Sequence, residues 1–209
     1  MTKKKILLYQ GGRYFSLEKT HQHFENILEE YRVDMYDSVD IFSNKDFFDC
    51  SVIIFFSQEG EFSEEQEKNV LEFVAGGNGF IGLHGASASF KNHPKYFEML
   101  GGKFISEKNI MSFDIKIIDK NHPITRNLDN FSFKDEPYRH DFSMGNEIHV
   151  LAEADYHDIK DPNPEPIIWI REYGKGRVFF CALGHRTTAL KDPLFQKIIR
   201  SAVMWVLQN

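Results

Sequence analysis

The stretch GGNGFIGLHGASASF, Gly76 to Phe90, decides the architecture. Gly76-Gly77 stops the helix that precedes it, and Gly79 to His84 is a short apolar run of the kind buried on both faces of a parallel sheet. Gly85-Ala86-Ser87 then turns the chain tightly into a helix start. A strand running into a glycine-assisted turn and a helix is the elbow of a βα unit, where side chains point into a cleft.

Upstream, Ser63-Glu64-Glu65-Gln66 is a capping box that opens a helix through Ala75. Val52 to Phe56 is a strongly apolar strand, and Val33 to Tyr36 a short one. Ile6 to Gln10 reads as a buried strand ending in Gly11-Gly12. Phe24, Ile27, Leu28 and Tyr31 then give Leu17 to Tyr31 the spacing of an amphipathic helix. Downstream, Pro94 to Leu100 is a short helix closed by Gly101-Gly102. Ser112 to Ile118 alternates, Phe131 to Tyr138 reads as one extended piece, and Ile148 to Ala154 is apolar. Ile167 to Tyr173 and Arg177 to Leu183 form a hairpin across Gly174-Lys175-Gly176. Asp192-Pro193 caps a final helix to about Leu207. Parallel βα units followed by an antiparallel hairpin predict an α/β fold with a doubly wound mixed sheet, in one domain spanning residues 1–209.

A chain of 209 residues buries roughly 70% of the surface its unfolded form exposes, so it needs no structural metal or disulfide, and a metal here would serve function. With 42% hydrophobic residues and 20 Phe the composition is globular. The formal net charge of −6 argues against nucleic-acid binding. Lys3, Lys4 and Lys5 form the basic triplet and read as a solvated strand start. No apolar stretch has the ~18 residues of a membrane span and no signal-peptide core follows the lysines, so the expected location is cytoplasmic. Cys50 and Cys181 lie in apolar, strand-like settings and read as buried free thiols. The proline-containing loop from Asp155 to Pro166 is the candidate for a lid or rim.

Ligands of open α/β sheets bind beyond the carboxyl ends of the strands. That singles out Gln10, Gly11 and Gly12, Ser57 and Gln58, His84 and Gly85, and Gly184 and His185. In class I glutamine amidotransferases, which share this general architecture, the elbow carries the cysteine nucleophile. Here it carries His84, and an imidazole cannot form the thioester of glutaminase chemistry.

The segments GGNGFIGLHGASASF (76–90), YFEMLGGKF (96–104), DKNHPITRNLDNFSFKDEPY (119–138) and WIREYGKGRVFFCALGHRTTALKDPLFQKIIRSAVMW (169–205) together resemble the ThuA-like family, named for trehalose utilisation. The first 75 residues match it only in their strand-loop-helix pattern. The resemblance implies a flavodoxin-like, class I glutamine amidotransferase-like, three-layer α/β/α fold. It also brings three polar elements together: His84, His185 and Asp135-Glu136. Two imidazoles and a carboxylate are the ligand set of many mononuclear Zn, Fe or Mn sites. No local signature such as two histidines at i, i+4 supports this, so it rests on topology.

Plainer readings stand beside each candidate. A strand-end histidine is often only hydrogen-bonded, and Asp135 and Glu136 also suit a solvated turn or a salt bridge to Arg139. His93-Pro94 and His122-Pro123 read as turn-forming dipeptides. His21 and Arg13 reach the cleft only if the first helix starts close to it. Tyr138 suits a sugar hydroxyl. Trp169 could stack on a sugar, but core packing is the safer reading.

What the resemblance implies is disaccharide catabolism, with a sugar or 3-keto-sugar as substrate. A ketone acidifies the neighbouring C–H, so acid–base or metal-assisted isomerisation, elimination or hydrolysis becomes accessible. The assigned catalytic residues are His84, Glu136 and His185, which are also the ligands of one divalent metal. Substrate contacts fall to Gln10, Gly12, Arg13, Gly85, Ala86, Ser87, Asp135 and Tyr138, with oxyanion contacts from the backbone amides after His84. No nucleotide, flavin, nucleic acid or membrane partner is expected, and a homodimer is the assembly considered. The competing reading is a non-catalytic sugar-binding or regulatory protein. An amidase using Cys181 or Cys50 would require a thiol facing the cleft beside a histidine.

Overall fold

The computed structural model describes residues 3–12, 16–144, 147–156 and 163–208. Strands β1 (Lys5–Tyr9), β2 (Arg32–Tyr36), β3 (Val52–Phe55) and β4 (Gly79–Leu83) are parallel. They are followed by β5 (Lys103–Glu107), β6 (Met111–Ile117), β7 (Phe131–Asp135), β8 (Tyr138–Asp141), β9 (His149–Asp155), β10 (Glu165–Tyr173) and β11 (Gly176–Cys181). Nine strands make one sheet in the order β2-β1-β3-β4-β11-β10-β9-β6-β7, while β5 and β8 pair apart from it. β11 joins β4 in parallel, and β10, β9, β6 and β7 continue antiparallel, so the sheet is mixed as the sequence predicts.

Sequence pattern follows position in this sheet. All residues of β3 and β4 are buried, because helices cover both faces there. A Cβ on Gly79 would lie 2.6 Å from Val206 in α4 (Pro193–Val206), and one on Gly82 would lie 3.0 Å from Leu100 in α3 (Pro94–Leu100). Residues three apart on a strand face opposite ways, so the two helices lie on opposite sides of β4, in a three-layer flavodoxin-like arrangement. In the antiparallel half one face is left to water. Phe113, Ile115 and Ile117 of β6 are buried while Ser112, Asp114 and Lys116 are exposed.

Three expectations need correction. The first helix, α1 (Leu17–Ile27), stops four residues before Tyr31. The Leu28 amide closes it on Phe24, and the Arg32 amide is already paired with the Lys4 carbonyl in the sheet. Phe131 to Tyr138 is not one strand. It breaks at Glu136-Pro137 into β7 and β8, which belong to different sheets; a proline has no N–H to continue a ladder. Thirdly, the elbow opens into a single 3-10 turn, His84–Ala88, rather than an α-helix. β5 had no expectation attached to it, since Lys-Phe-Ile-Ser-Glu alternates too weakly to announce a strand.

Among the described residues, no helix is long and apolar enough to cross a membrane. The capping box of α2 (Glu64–Ala75) is present in both directions, with Ser63 Oγ accepting from the Gln66 amide at 3.2 Å and Gln66 Oε1 accepting from the Ser63 amide at 2.8 Å. Replacing Ser63 by Ala removes one half of it. Urea denaturation of S63A is expected to show a loss of about 1 kcal/mol at unchanged m-value.

Candidate functional site

The register of the sheet sets the site. Leu83 of β4 pairs with Cys181 of the parallel β11, so both chains leave the sheet side by side at the same edge. His84 follows immediately on one, and Gly184-His185 shortly after on the other. His84 has φ 42°, an uncommon conformation for a residue with a Cβ. Gly184 has φ 117°, where any side chain is strained.

Glu136 arrives from the far end of the sheet. It sits at the break between β7 and β8, and the preceding Asp135 anchors that corner. Asp135 Oδ2 accepts from the Gly184 amide at 2.7 Å and Oδ1 accepts from the Glu136 amide at 3.0 Å. Asp135 is 3% exposed, so this carboxylate ties the corner to the loop carrying His185.

Three atoms then converge. His185 Nδ1 lies 3.0 Å from Glu136 Oε2 and 3.2 Å from His84 Nε2, and His84 Nε2 lies 3.3 Å from Glu136 Oε2. The other nitrogen of His84 is 2.7 Å from the Ala182 carbonyl. A carbonyl only accepts, so Nδ1 of His84 carries the hydrogen and donates it. In the neutral ring, Nε2 therefore presents a lone pair. It meets a carboxylate oxygen that can only accept and a second imidazole nitrogen with at most one hydrogen to give. With both rings neutral, three electron-rich atoms share no more than one proton.

The local environment favours the neutral ring at His185. His185 titrates below the usual histidine range, first because of burial and then because of the adjacent His84, with Glu136 pulling the other way. Burial pushes Glu136 up, but contact with His84, the positive charge available on His185 and His84, and a hydrogen bond from Tyr138 together hold it below the usual carboxylate range. The two shifts conflict in part, since the depression of Glu136 draws on imidazolium charge that the depression of His185 removes. Burial of the His185 ring is direct and decides between them: a neutral His185 imidazole faces an ionised carboxylate. The Tyr138 hydroxyl is raised well above its usual range by burial and by Glu136, so it keeps its proton and donates to that carboxylate. The Tyr138 ring also lies against His84, with centroids 4.0 Å apart.

Beside this cluster opens a cleft of about 500 Å³, bordered by Glu136 and Tyr138 on one side, by Gln58, Glu59 and Glu61 on another, and by Phe104 and Glu107 of β5. Phe90 and Lys91 complete its wall. A hollow of about 660 Å³ on the outer side of β6, β7 and β9 is comparable in size, but it is remote from the histidines.

The remaining predicted site residues are distributed unevenly. Gln10 directly follows β1 and is buried, and Gly12 has φ 92°. Arg13 and half of the 155–166 loop, residues 157–162, lie outside the described residues. Gly85 packs so closely that a Cβ would come within 2.4 Å of the Ser57 carbonyl, while Ala86 and Ser87 are fully buried. None of these three turns a side chain to the cleft. His21 bonds the Val33 carbonyl at 2.9 Å, away from the cluster. His93 caps α3 beside Glu61 and Glu67, and His122 accepts from the Ile124 amide in its turn. Trp169 is fully buried, donating to the Leu100 carbonyl at 2.8 Å. Arg139 pairs with Glu165 at 3.1 Å.

Sequence reasoning missed the cleft wall of Glu59, Glu61, Lys91, Phe104 and Glu107, and missed His140 and Glu165 behind the elbow. One signal was present. Tyr138 and His140 are two apart on an extended segment and therefore share a face, both buried in β8.

Comparison with known proteins follows the same lines. The protein family described as trehalose utilisation, ThuA, matches residues 5–206. A ThuA-like protein of Parabacteroides merdae superposes with a TM-score of 0.85 at 20% identity, over 99% of this chain and 91% of its own. A ThuA-like protein of Bacteroides uniformis gives 0.82 at 20% identity, over 98% and 91%. A cytoplasmic protein of Salmonella typhimurium gives 0.64 at 12% identity, over 96% and 99%. A search of curated protein sequences finds no match. At these identities the structural likenesses establish the fold.

Both thiols are sealed. Cys50 is 3% and Cys181 0% exposed, and burial pushes each up to about 12. A neutral-pH nucleophile needs the thiolate, so the amidase requirement is not met. Native protein at pH 8 is expected to leave a thiol reagent such as DTNB unreacted over minutes, with both cysteines reacting once urea unfolds the chain. Rapid stoichiometric labelling of the folded protein would contradict the placement.

Proposed function

Because this chain belongs to the ThuA-like, trehalose-utilisation family, we propose that it acts on a sugar or 3-keto-sugar at the His84–Glu136–His185 centre, by acid–base or metal-assisted isomerisation, elimination or hydrolysis. Membership of the family gives the chain its role in sugar metabolism. The observation that carries the finer reading is the meeting of three donor atoms, all within 4.8 Å of one another, with fewer protons than their proximity demands.

Such a cluster is satisfied by a cation. An ion holding three mutually cis donors at about 2.1 Å sets them about 3.0 Å apart, and the contacts here are 3.0, 3.2 and 3.3 Å. The donor chemistry, two imidazole nitrogens and one carboxylate oxygen, suits Zn, Mn or Fe. His84 also has the outer hydrogen bond that fixes a ligating ring, from Nδ1 to the Ala182 carbonyl. When bound, a divalent ion supplies Lewis-acid polarisation of a substrate carbonyl and stabilises negative charge on the neighbouring oxygen.

The chain's own residues supply the rest. His185 is the most exposed of the three, at 24% of its side chain, and its depressed titration leaves it unprotonated near neutral pH. Without a metal it is the member best placed to take a proton from a carbon next to a ketone. Glu136 stays ionised and is a weaker base for it, better suited to orienting the rings and countering their charge. Tyr138 donates to Glu136 and closes that side of the cleft. Asp135, with both oxygens engaged by backbone amides, acts by position rather than by touching substrate.

The cleft falls in the size range of small-ligand sites, about 300–1000 Å³. Its wall carries Glu59, Glu61, Glu107 and Glu136 against Lys91. That field repels anions, so a neutral sugar is expected to bind at least ~10-fold more tightly than its phosphate ester at low ionic strength, with the gap narrowing as salt is added. Calorimetric titration with a neutral disaccharide and its 6-phosphate measures it. Tighter binding of the phosphate would remove this account of the cleft.

A sugar-binding protein without catalysis needs cleft aromatics and hydrogen-bonding groups but no convergent pair of imidazoles on a carboxylate. Elemental analysis of protein purified without an affinity tag and loaded with Zn, Mn or Fe separates the versions. About one ion per chain is expected in the wild type, with near none in H84A, and turnover of a 3-keto-disaccharide is expected to fall by ~100-fold or more in H84A. Equal, negligible metal in both proteins would eliminate the metal version. Unchanged turnover in H84A would eliminate catalysis at this centre.

A further inference from the structure

Behind the elbow lies a second polar chain that the proposed reaction does not use. Ser87 Oγ is 3.1 Å from His140 Nε2, and His140 Nδ1 is 3.0 Å from Glu165 Oε1. Glu165 Oε1 also accepts from the His140 amide at 2.9 Å, and its other oxygen accepts from Arg139 at 3.1 Å. The His140 ring is packed edge-on against Trp169 and Phe180, at 5.1 and 5.5 Å between centroids. Hydroxyl, imidazole and carboxylate in this order are the arrangement that activates serine nucleophiles.

Access rules out that use. Ser87 is 0% exposed and the His140 side chain 0%, so no acyl carbon can approach the Ser87 oxygen. The free end of the chain points instead at the elbow, where Ser87 Oγ lies 3.2 Å from the His84 carbonyl. The next two carbonyls are held in the same manner. Ser89 Oγ donates to the Gly85 carbonyl at 2.9 Å, and Tyr96 Oη donates to the Ala86 carbonyl at 2.9 Å.

Three successive carbonyls of the turn are thus each met by a side-chain hydroxyl, and only the first of these hydroxyls is coupled to an ion pair. We propose that Ser87, His140 and Glu165 form a buried positioning relay that fixes the backbone and ring direction of His84. The relay has something to hold, since His84 sits at φ 42°, a conformation that is strained for a residue with a Cβ and persists only when its surroundings enforce it. Proton accounting agrees with the direction. Glu165 takes the Nδ1 hydrogen of His140, leaving Nε2 as an acceptor while the ring is neutral, and burial favours that neutral form. The Ser87 hydrogen is then shared between His140 Nε2 and the His84 carbonyl, which links the elbow to β8 and β10 through one atom.

The proposal rests on His84 being a working residue of the cleft, but its test does not require turnover. The first readout is the Nδ1–H signal of His84 in 15N-labelled, metal-free protein, which reports the bond to Ala182. The second is kcat and KM for a 3-keto-disaccharide. In S87A the His84 signal is expected to shift and broaden, with kcat lower by ~10–100-fold and KM within ~3-fold of wild type. H140Q keeps a hydrogen-bonding group near the Nε2 position and is expected to recover part of both. If S87A does not fold, E165Q and H140Q carry the test through the same signal. A His84 signal unchanged in every folded variant would overturn the relay. Absence of turnover in the wild type would overturn the reaction proposed above and leave the signal to decide this one.

Discussion

A single buried carboxylate joins the two halves of this protein where they matter. Asp135 stands at the end of β7, a sheet-edge strand far from β4 in strand order, yet its two oxygens hold the Gly184 and Glu136 amides. Hydrogen bonds of a carboxylate to backbone amides contribute about 1.5–3 kcal/mol each, and a buried carboxylate without them would be costly. The corner at Glu136-Pro137 therefore cannot drift from the loop after β11 without exposing or stranding this group. Glu136 and His185 are neighbours because Asp135 holds the amide of Glu136 and that of Gly184, the residue just before His185.

The histidines come together by a different route. Parallel pairing of β4 with β11 in the register Leu83 to Cys181 delivers both chain exits to one edge, and a left-handed residue on each side turns them toward a common point. Strand register, a glycine at 184, a strained His84 and one buried aspartate thus produce a three-atom cluster that no local sequence motif encodes. The rings and the carboxylate then face one another with a deficit of protons, and the proposed metal site rests on that deficit.

How much of this was legible in the sequence depended on the range of the interaction involved. β4 and its elbow were readable because an apolar run between Gly77 and Gly85 is a local signal, as was the capping box at Ser63. The doubly wound mixed sheet followed from the alternation of such signals, and its flavodoxin-like class from the family resemblance. The break at Glu136-Pro137 was not seen, although proline is itself a local signal, because alternating aromatics on either side masked it. His84 and His185 were named as residues at strand ends, whereas Glu136 joined them through a family resemblance that spacing alone would not have supplied. The substrate contacts assigned to Gly85, Ala86 and Ser87 assumed that residues of a turn face the cleft, whereas the 3-10 turn directs them inward. His140 and Glu165 were invisible for a similar reason, since a buried polar pair depends on partners 53 and 25 residues away, Ser87 for one bond and His140 itself for the other.

The most direct measurement is a crystal structure of protein soaked with Mn or Zn, with diffraction collected at the anomalous edge of that metal. The account requires a peak among His84 Nε2, Glu136 Oε2 and His185 Nδ1, at bonding distance from all three. An empty map at that position, with either imidazole rotated away from the carboxylate, would contradict it.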